Sequence, residues 1–575
     1  MTVLPRPTGP DQPPAPTAER GAGRRRTSGI GRAAVMIGAI TVLARLVGFG
    51  RQVMFAHSVG ATCLGTAYTT ANMVPNIIYD IVLGGALTSV VVPVLAGPAS
   101  VSGGAVSGSG PDQRARQIAS ALLTWTVLLL VPVSACVAVF AHPLVAALLG
   151  HAGGCSRSAM TGTGGRMLIV FAPQVLLYGV AVVLYGILQA HRKFGGPAIA
   201  PLLSSVVVVG TYAGFGVAGG AYVNRLQDLP PSAEFLLSGG TTLGVLAMVA
   251  AAAVPAWRLR LGMRPTLRFP AGVASRVRRL AVAGLFTLLA QDASTAVVIV
   301  LANRYGPAGT LVIYGFAWAV FVVPYAVLAV PIATSAFPEL SARSAPDAAS
   351  AADARPLPPD GGFAATSAAS TRAVLLASCL GAAALIGARL PLARVFESDS
   401  ASATAILAAS LAAFAPGLIG YGLSANLSRV LYAHGRNRAP ALAISLGWVL
   451  VIVADVLVVP FVPRAWVVPA LGACTSFGLT VAGAVLLVLV LRVRGPFALA
   501  GVARAFGAGL AGCAIGATVG AGVSWLVQGD GLILNAGVSL LVCAVIAAAF
   551  GAVVWNVDGG DLRAVLTRLR ARSSG

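Results

Sequence analysis

Residues 33–61 read AAVMIGAITVLARLVGFGRQVMFAHSVGA, an apolar stretch that carries Arg45 and Arg51 with Gly48 and Gly50 between them. A run of this length and character is enough to cross a bilayer as a helix. A guanidinium in hydrocarbon is costly, so it faces a bundle interior or a wet cavity, or reaches an interface along its own stem. The next apolar stretch, TANMVPNIIYDIVLGGALTSVVVPVLA at 70–96, adds Asp80. Two readings stay open. In one, the arginines line a membrane cavity and select an anionic cargo. In the other, Arg51 snorkels outward and Arg45 pairs with Asp80 to hold two helices together.

Working outward, the whole chain has the same character. Of its 575 residues 57% are hydrophobic and only 10% charged, with a mean hydropathy of +0.87. A soluble protein carries roughly 25% charged residues, so the expected class is an all-α integral membrane protein. Apolar runs of spanning length fall at about 31–58, 66–97, 117–149, 162–190, 197–221, 234–257, 275–303, 309–340, 366–396, 402–432, 439–462, 466–491, 499–527 and 532–556. That makes fourteen expected spans. Some exceed the bilayer thickness, which predicts tilt or amphipathic ends.

The net charge of +22 would suggest nucleic acid in a soluble protein. Here its distribution explains it. With the N-terminus inside, most Lys and Arg residues fall on the cytoplasmic side, as the positive-inside rule requires. The densest group runs from Arg258 to Arg279, between the sixth and seventh spans. Arg429, Arg436 and Arg438 are counted with the inner loops. The outer side receives Arg157, Arg166, Arg225, Arg304, Arg389, Arg394 and Arg464. Both termini are therefore expected in the cytoplasm, with no nucleic-acid partner.

This pattern divides the chain. A disordered basic tail is expected over 1–30, a six-helix bundle over 31–257, and a basic connector over 258–274. A second six-helix bundle follows over 275–495, then two additional helices over 496–557 and a short basic tail over 558–575. The last of these, LRAVLTRLRARSSG, reads as a short helix at the membrane face. Residues 98–113 and 342–365 read as flexible loops. The RRRTSG start at 24–29 has the look of a twin-arginine export signal, but the apolar run continues into a full span with no cleavage site.

The remaining chemistry is sparse. The seven cysteines (Cys63, Cys136, Cys155, Cys379, Cys474, Cys513, Cys543) have no CxxC spacing and read as small apolar packers, with no disulfide framework and no metal site. The five histidines have no i, i+4 partners. Walker A, GxSxG and HExxH patterns are absent, so ATP use and hydrolytic catalysis are not expected, nor is a cofactor. Asp80, Asp292 in LLAQDASTAV and Asp455 in WVLVIVADVLVVP are ion-coupling or counter-ion candidates. Prolines at 75, 93, 173, 324, 331, 338 and 416 fall inside apolar runs and predict bends. The second span of each half carries a series of them, the pattern of two facing bundles that alternate access.

Several stretches resemble one family. They are RLVGFGRQVMFAHSVGA (45–61), VPNIIYDIVLGGALTSVVVPVLA (74–96), FAPQVLLYGVAVVLYGILQAHRKFGGPAIAP (171–201) and IYGFAWAVFVVPYAVLAVPIATSAFPELS (313–341). Over about 31–495 the chain is similar to the lipid II flippases of the MurJ (MviN) family, in their actinobacterial form. The resemblance implies a fourteen-helix fold of the multidrug/oligosaccharidyl-lipid/polysaccharide (MOP) exporter superfamily, as in MATE transporters. It also implies a cargo, an undecaprenyl-pyrophosphate-linked disaccharide pentapeptide, moved outward for peptidoglycan synthesis. On this alignment Arg45 and Arg51 match two cavity arginines that bind pyrophosphate, with Asn76 and Tyr79 beside them.

The chain departs from the family pattern elsewhere. Thr66 stands where an aspartate is usual, Tyr79 where a cavity arginine is, Asp80 at the next arginine, Gly84 at a glutamate, and Ala319 at the arginine of span eight. Two of four cavity arginines remain. Membrane lipids and the cell-wall synthesis machinery are the other partners implied. Three functions fit: a lipid II flippase, a paralogue that exports another polyprenyl-linked glycan or assists wall assembly without transport, and a multidrug antiporter.

Overall fold

A computed structural model describes residues 40, 43–82, 110–150, 154–191, 193–259, 262, 264–269, 273–344, 361–397, 400–436, 438–527, 529 and 531–573. For 110–115, 273–286, 361 and 558–573 it describes the backbone alone. The expected tail over 1–30, Gly84, Pro93, most of the loop 98–113 and the middle of the loop 342–365 lie outside the described residues.

Every expected apolar run meets a helix, and the described residues contain no strand. The helices are α1 (43–58), α2 (Cys63–Val82), α3 (Gly110–Val139), α4 (Ala141–Leu148), α5 (Arg157–Ala190), α6 (Gly195–Gly219) and α7 (Pro231–Trp257). Then follow α8 (Val273–Tyr305), α9 (Thr310–Pro324), α10 (Val330–Ser344), α11 (Gly361–Gly387), α12 (Arg389–Phe396), α13 (Ala401–Phe414) and α14 (Gly417–Ala433). The chain ends with α15 (Arg438–Val458), α16 (Val467–Arg494), α17 (Val502–Leu526) and α18 (Leu532–Ser573). Ten described helical segments are long and apolar enough to span a membrane, and the bent pair α13–α14 makes an eleventh.

Several expected boundaries move. Residues 110–113, 342–344 and 361–365 are helical where a loop is expected. The C-terminal basic segment continues α18 to Ser573 and forms no separate helix. Sequence hydropathy marks where a helix leaves lipid, and it does not mark where the backbone stops hydrogen bonding.

The prolines act as expected in two places. After Pro324 the backbone widens into a π turn, Tyr325–Ala329, before α10 resumes. Proline removes an N–H and crowds the preceding turn, and a π turn absorbs the defect. At Pro416 the chain turns by 42° between α13 and α14.

Packing within the first half centres on α5, which lies against α2, α3 and α7, while α6 pairs with α7. In the second half α14, α15 and α13 pack on α16, α11 packs on α14 and α17, and α17 pairs with α18. The segment α8 lies against α15 and also touches α2. Apolar side chains such as Val217, Trp257, Phe461 and Ile533 point outward, as they do where the surrounding solvent is lipid.

One cysteine expectation is overturned. Cys63 and Cys155 form a disulfide, with Cα atoms 5.8 Å apart and a sequence separation of 92. It ties the start of α2 to the segment before α5. Neither cysteine has a CxxC neighbour, so spacing alone conceals the pair.

Candidate functional site

The α1–α2 connection is a tight turn, in which Gly60 takes φ +65°. It brings α2 back along α1 and sets Arg51 opposite one face of α2. On that face Tyr68, Asn72 and Asn76 recur every four residues, the helical spacing that stacks side chains above one another. Together with α5, α6, α7 and α9 these two helices enclose a cavity of about 200 Å³. Arg51, Gln52, Asn72, Asn76, Tyr68, Tyr178, Tyr212 and Thr241 line it.

The hydrogen bonds around the cavity have a definite direction. Thr241 donates to the Leu237 carbonyl at 2.7 Å, so its oxygen is the acceptor for the Tyr68 hydroxyl at 2.8 Å. Tyr68 has then used its only proton, and Tyr212 donates to it at 2.9 Å. Higher on α2, Asn76 donates to the Asn72 carbonyl at 2.8 Å and accepts from the Tyr178 hydroxyl at 3.1 Å. Both bonds fix the orientation of the Asn76 amide. The Asn72 side-chain oxygen is buried and meets no donor.

Arg51 is half-buried in this wall. Among the described residues no carboxylate pairs with it; the ion pairs there are Arg166–Glu234 and Arg343–Glu339. Its charge faces the phenols of Tyr68, Tyr178 and Tyr212. Arg45 lies six residues earlier on α1 and is exposed, outside the cavity lining. Tyr79 packs its ring on Tyr178 at 4.4 Å and stands beside the cavity. Asp80 is exposed at the next position and forms no ion pair with Arg45 or Arg51.

The two other acidic candidates lie apart from the cavity on neighbouring helices. Asp292, on α8, is 5% exposed, and its Oδ2 meets no donor. It is within electrostatic reach of Asp80. Asp455, on α15, is fully enclosed and faces Cys474 of α16. Among the described residues no group of three His, Cys, Asp or Glu side chains is placed to hold a metal ion.

The end of the cavity beside the disulfide is closed by contacts between the two halves. Thr66 accepts a hydrogen bond from the Gly309 N–H at 2.8 Å. Asn303 donates to Thr70 and to the Leu148 carbonyl, each at 3.0 Å. Gly309 has φ +86° and packs directly on the Ala61 backbone, so both conformation and space require glycine there.

A model of the family "Lipid II flippase MurJ" matches residues 55–541. The chain belongs to the lipid II flippase MurJ family. The family is one of transporters, and the multi-span helical architecture agrees with it. The chain is 25% identical over 178 residues to the lipid II flippase MurJ of Burkholderia cenocepacia, covering 31% of this chain and 33% of that protein. It is 27% identical over 232 residues to a probable lipid II flippase MurJ of Synechocystis, covering 40% of each. The matched stretches thus span a third to two fifths of these relatives.

In fold the likeness is broader. A solved lipid II flippase MurJ in an inward closed conformation superposes with a TM-score of 0.66 at 17% identity, over 90% of this chain and 98% of that one. An inward-facing MATE family transporter of the MOP superfamily gives 0.58 at 13% identity, over 81% and 98%. Both likenesses are of fold, and the all-helical multi-span architecture expected from the sequence is the one found.

The sequence alone does not single out the cavity residues Tyr68, Tyr178, Tyr212 and Thr241. The four-residue spacing of Tyr68, Asn72 and Asn76 is a signal that could have found the α2 face. Nothing local marks Tyr178 or Tyr212, which reach the site from helices more than a hundred residues away.

Proposed function

We propose that this chain moves lipid II, an undecaprenyl-pyrophosphate-linked muropeptide, from the inner to the outer leaflet of the bacterial cytoplasmic membrane by alternating access. The observation that carries this reading, beside family membership, is Arg51: a cation with no carboxylate partner among the described residues, in a cavity whose other polar lining is phenols, amides and hydroxyls. A pyrophosphate takes charge-assisted, often bidentate bonds from guanidinium. The neutral groups suit both the remaining phosphate oxygens and sugar hydroxyls. Arg45 meets the cargo at the cavity mouth, with Asn76 and Tyr79 along its path.

In this mechanism the bundle 31–257 rocks against 275–495, and helices 496–557 offer a groove for the prenyl tail. The contacts of Thr66 and Asn303 across the two halves open when the carrier faces outward. Asp292 and Asp455 take the coupling ion or act as counter-ions to the empty site. The membrane potential assists expulsion of an anion by about 2.3 kcal/mol per charge per 100 mV.

Both termini lie in the cytoplasm. The basic residues support this orientation, and so does the disulfide, because structural disulfides persist on the oxidising side of a membrane. Complementation of a strain depleted of its lipid II flippase tests the reading. Wild type restores growth, and Arg51→Ala does not, at equal membrane abundance. Failure of the wild type would favour a paralogue with another polyprenyl-linked cargo. Rescue by Arg51→Ala would remove the cavity arginine from the mechanism.

A further inference from the structure

The second half holds another cavity, of about 360 Å³, larger than that around Arg51 and sharing no residue with it. The π turn, α10, α14, α15 and α16 enclose it. One face of α14 supplies its polar part: Ser424, Ser428 and Arg429, at positions i, i+4 and i+5. Tyr325 and Tyr421, their rings stacked 4.0 Å apart, and Trp448 supply its apolar wall.

Two features mark it as a binding site. Ser424 and Ser428 are only 6% and 5% exposed, yet neither hydroxyl has a hydrogen-bond partner. Some hydroxyls in this half, those of Ser410, Thr475 and Thr480, bond back to the carbonyl four residues earlier; of the unpartnered buried serines Ser367, Ser378, Ser424, Ser428 and Ser445, it is Ser424 and Ser428 that line this cavity. Buried hydroxyls left unsatisfied on a cavity wall are held ready for a ligand acceptor or donor. The second feature is Arg429. Its Nη1 donates to the Ala425 carbonyl at 2.6 Å. Among the described residues no carboxylate neutralises it, which leaves a guanidinium with several free donors beside the two serines. In the sequence Arg429 falls near the end of the expected span 402–432 and is counted with the inner-side charges; the structure shows it on α14, half-buried in this wall.

We infer that this cavity binds the phosphate headgroup of a lipid, with Arg429, Ser424 and Ser428 on the phosphate oxygens and the first carbons of the chain along Tyr325, Tyr421 and Trp448. A fully soluble anion would leave the aromatic wall without an occupant. A neutral lipid would leave the guanidinium and hydroxyls unmatched. The site is separate from the cargo cavity, so the inference stands whether or not this chain flips lipid II. The phosphate has two sources, a bilayer phospholipid or a polyprenyl phosphate.

Native mass spectrometry of the full chain in detergent tests it, with phosphatidylglycerol, undecaprenyl phosphate, diacylglycerol and inorganic phosphate as probes. One or both phosphorylated lipids form stoichiometric adducts, and the stronger of the two identifies the source. Arg429→Gln lowers their affinity at least tenfold. The double substitution Ser424→Ala with Ser428→Ala lowers affinity severalfold without lowering the thermal midpoint of the lipid-free protein, which covers the case in which Arg429→Gln fails to fold. Equal adducts with diacylglycerol, displacement by millimolar inorganic phosphate alone, or wild-type affinity in both the Arg429 and serine variants would overturn the inference.

Discussion

At the scale of single residues, the closed end of the cavity rests on a few atoms. The hydroxyl of Thr66 accepts from the Gly309 N–H. Thr66→Val keeps the shape and removes the acceptor, leaving a buried amide unpaired at a cost of about 1–3 kcal/mol. A lowered thermal midpoint in detergent is the expected outcome, and an unchanged midpoint would mean the bond contributes nothing to closure. Thr66→Asp, by contrast, supplies a charged acceptor to the same N–H and is expected to hold this end closed more firmly. Slower rescue of a flippase-depleted strain would report that change. The neutral neighbours of Arg51 invite a further comparison. Tyr178→Phe removes the donor to Asn76 and frees that amide to rotate, so rescue weakens while membrane abundance stays the same.

At the scale of elements, the break after Pro324 is the clearest mechanical feature. The π turn Tyr325–Ala329 separates α9, which lines the Arg51 cavity, from α10, which lines the second one. A turn with one residue in excess has fewer well-formed backbone bonds and bends more readily than a regular helix. Pro324→Ala restores the missing N–H and favours a continuous helix. The protein is expected to accumulate normally and to complement poorly; full complementation would show that the turn is not a hinge. The helices α17 and α18 meet through small residues instead. A Cβ on Gly512 would stand 2.8 Å from the Phe550 ring, so Gly512→Leu forces the pair apart. A fall of several degrees in the thermal midpoint is expected, with loss of rescue if this pair guides the prenyl tail.

At the scale of the whole molecule, the disulfide joins two segments of the first half only, α2 and the approach to α5. It leaves the two halves free to move against each other, and it reports which side of the membrane that end occupies. In intact cells a membrane-impermeant maleimide should label Cys63 and Cys155 only after treatment with an impermeant reductant. A reporter fused after Gly575 should be active in its cytoplasmic form alone. Labelling that requires permeabilised cells would reverse the proposed orientation.

The division between sequence and structure follows from the range of the forces involved. Hydropathy acts locally, so apolar spans and the all-helical class are legible along the chain without any contact information. Motifs at 45–61 and 74–96 carry the family likeness for the same reason, and Arg51 stands out because a cation in an apolar run has few places to go. Contacts between distant segments leave no local trace. Only the tertiary structure pairs Cys63 with Cys155, brings Tyr178 and Tyr212 to Arg51, and closes Thr66 against Gly309. It also shows that Arg429, which the sequence counts among the inner-side charges, lines a cavity wall, because which face of a helix a side chain occupies is settled by the helices packed around it.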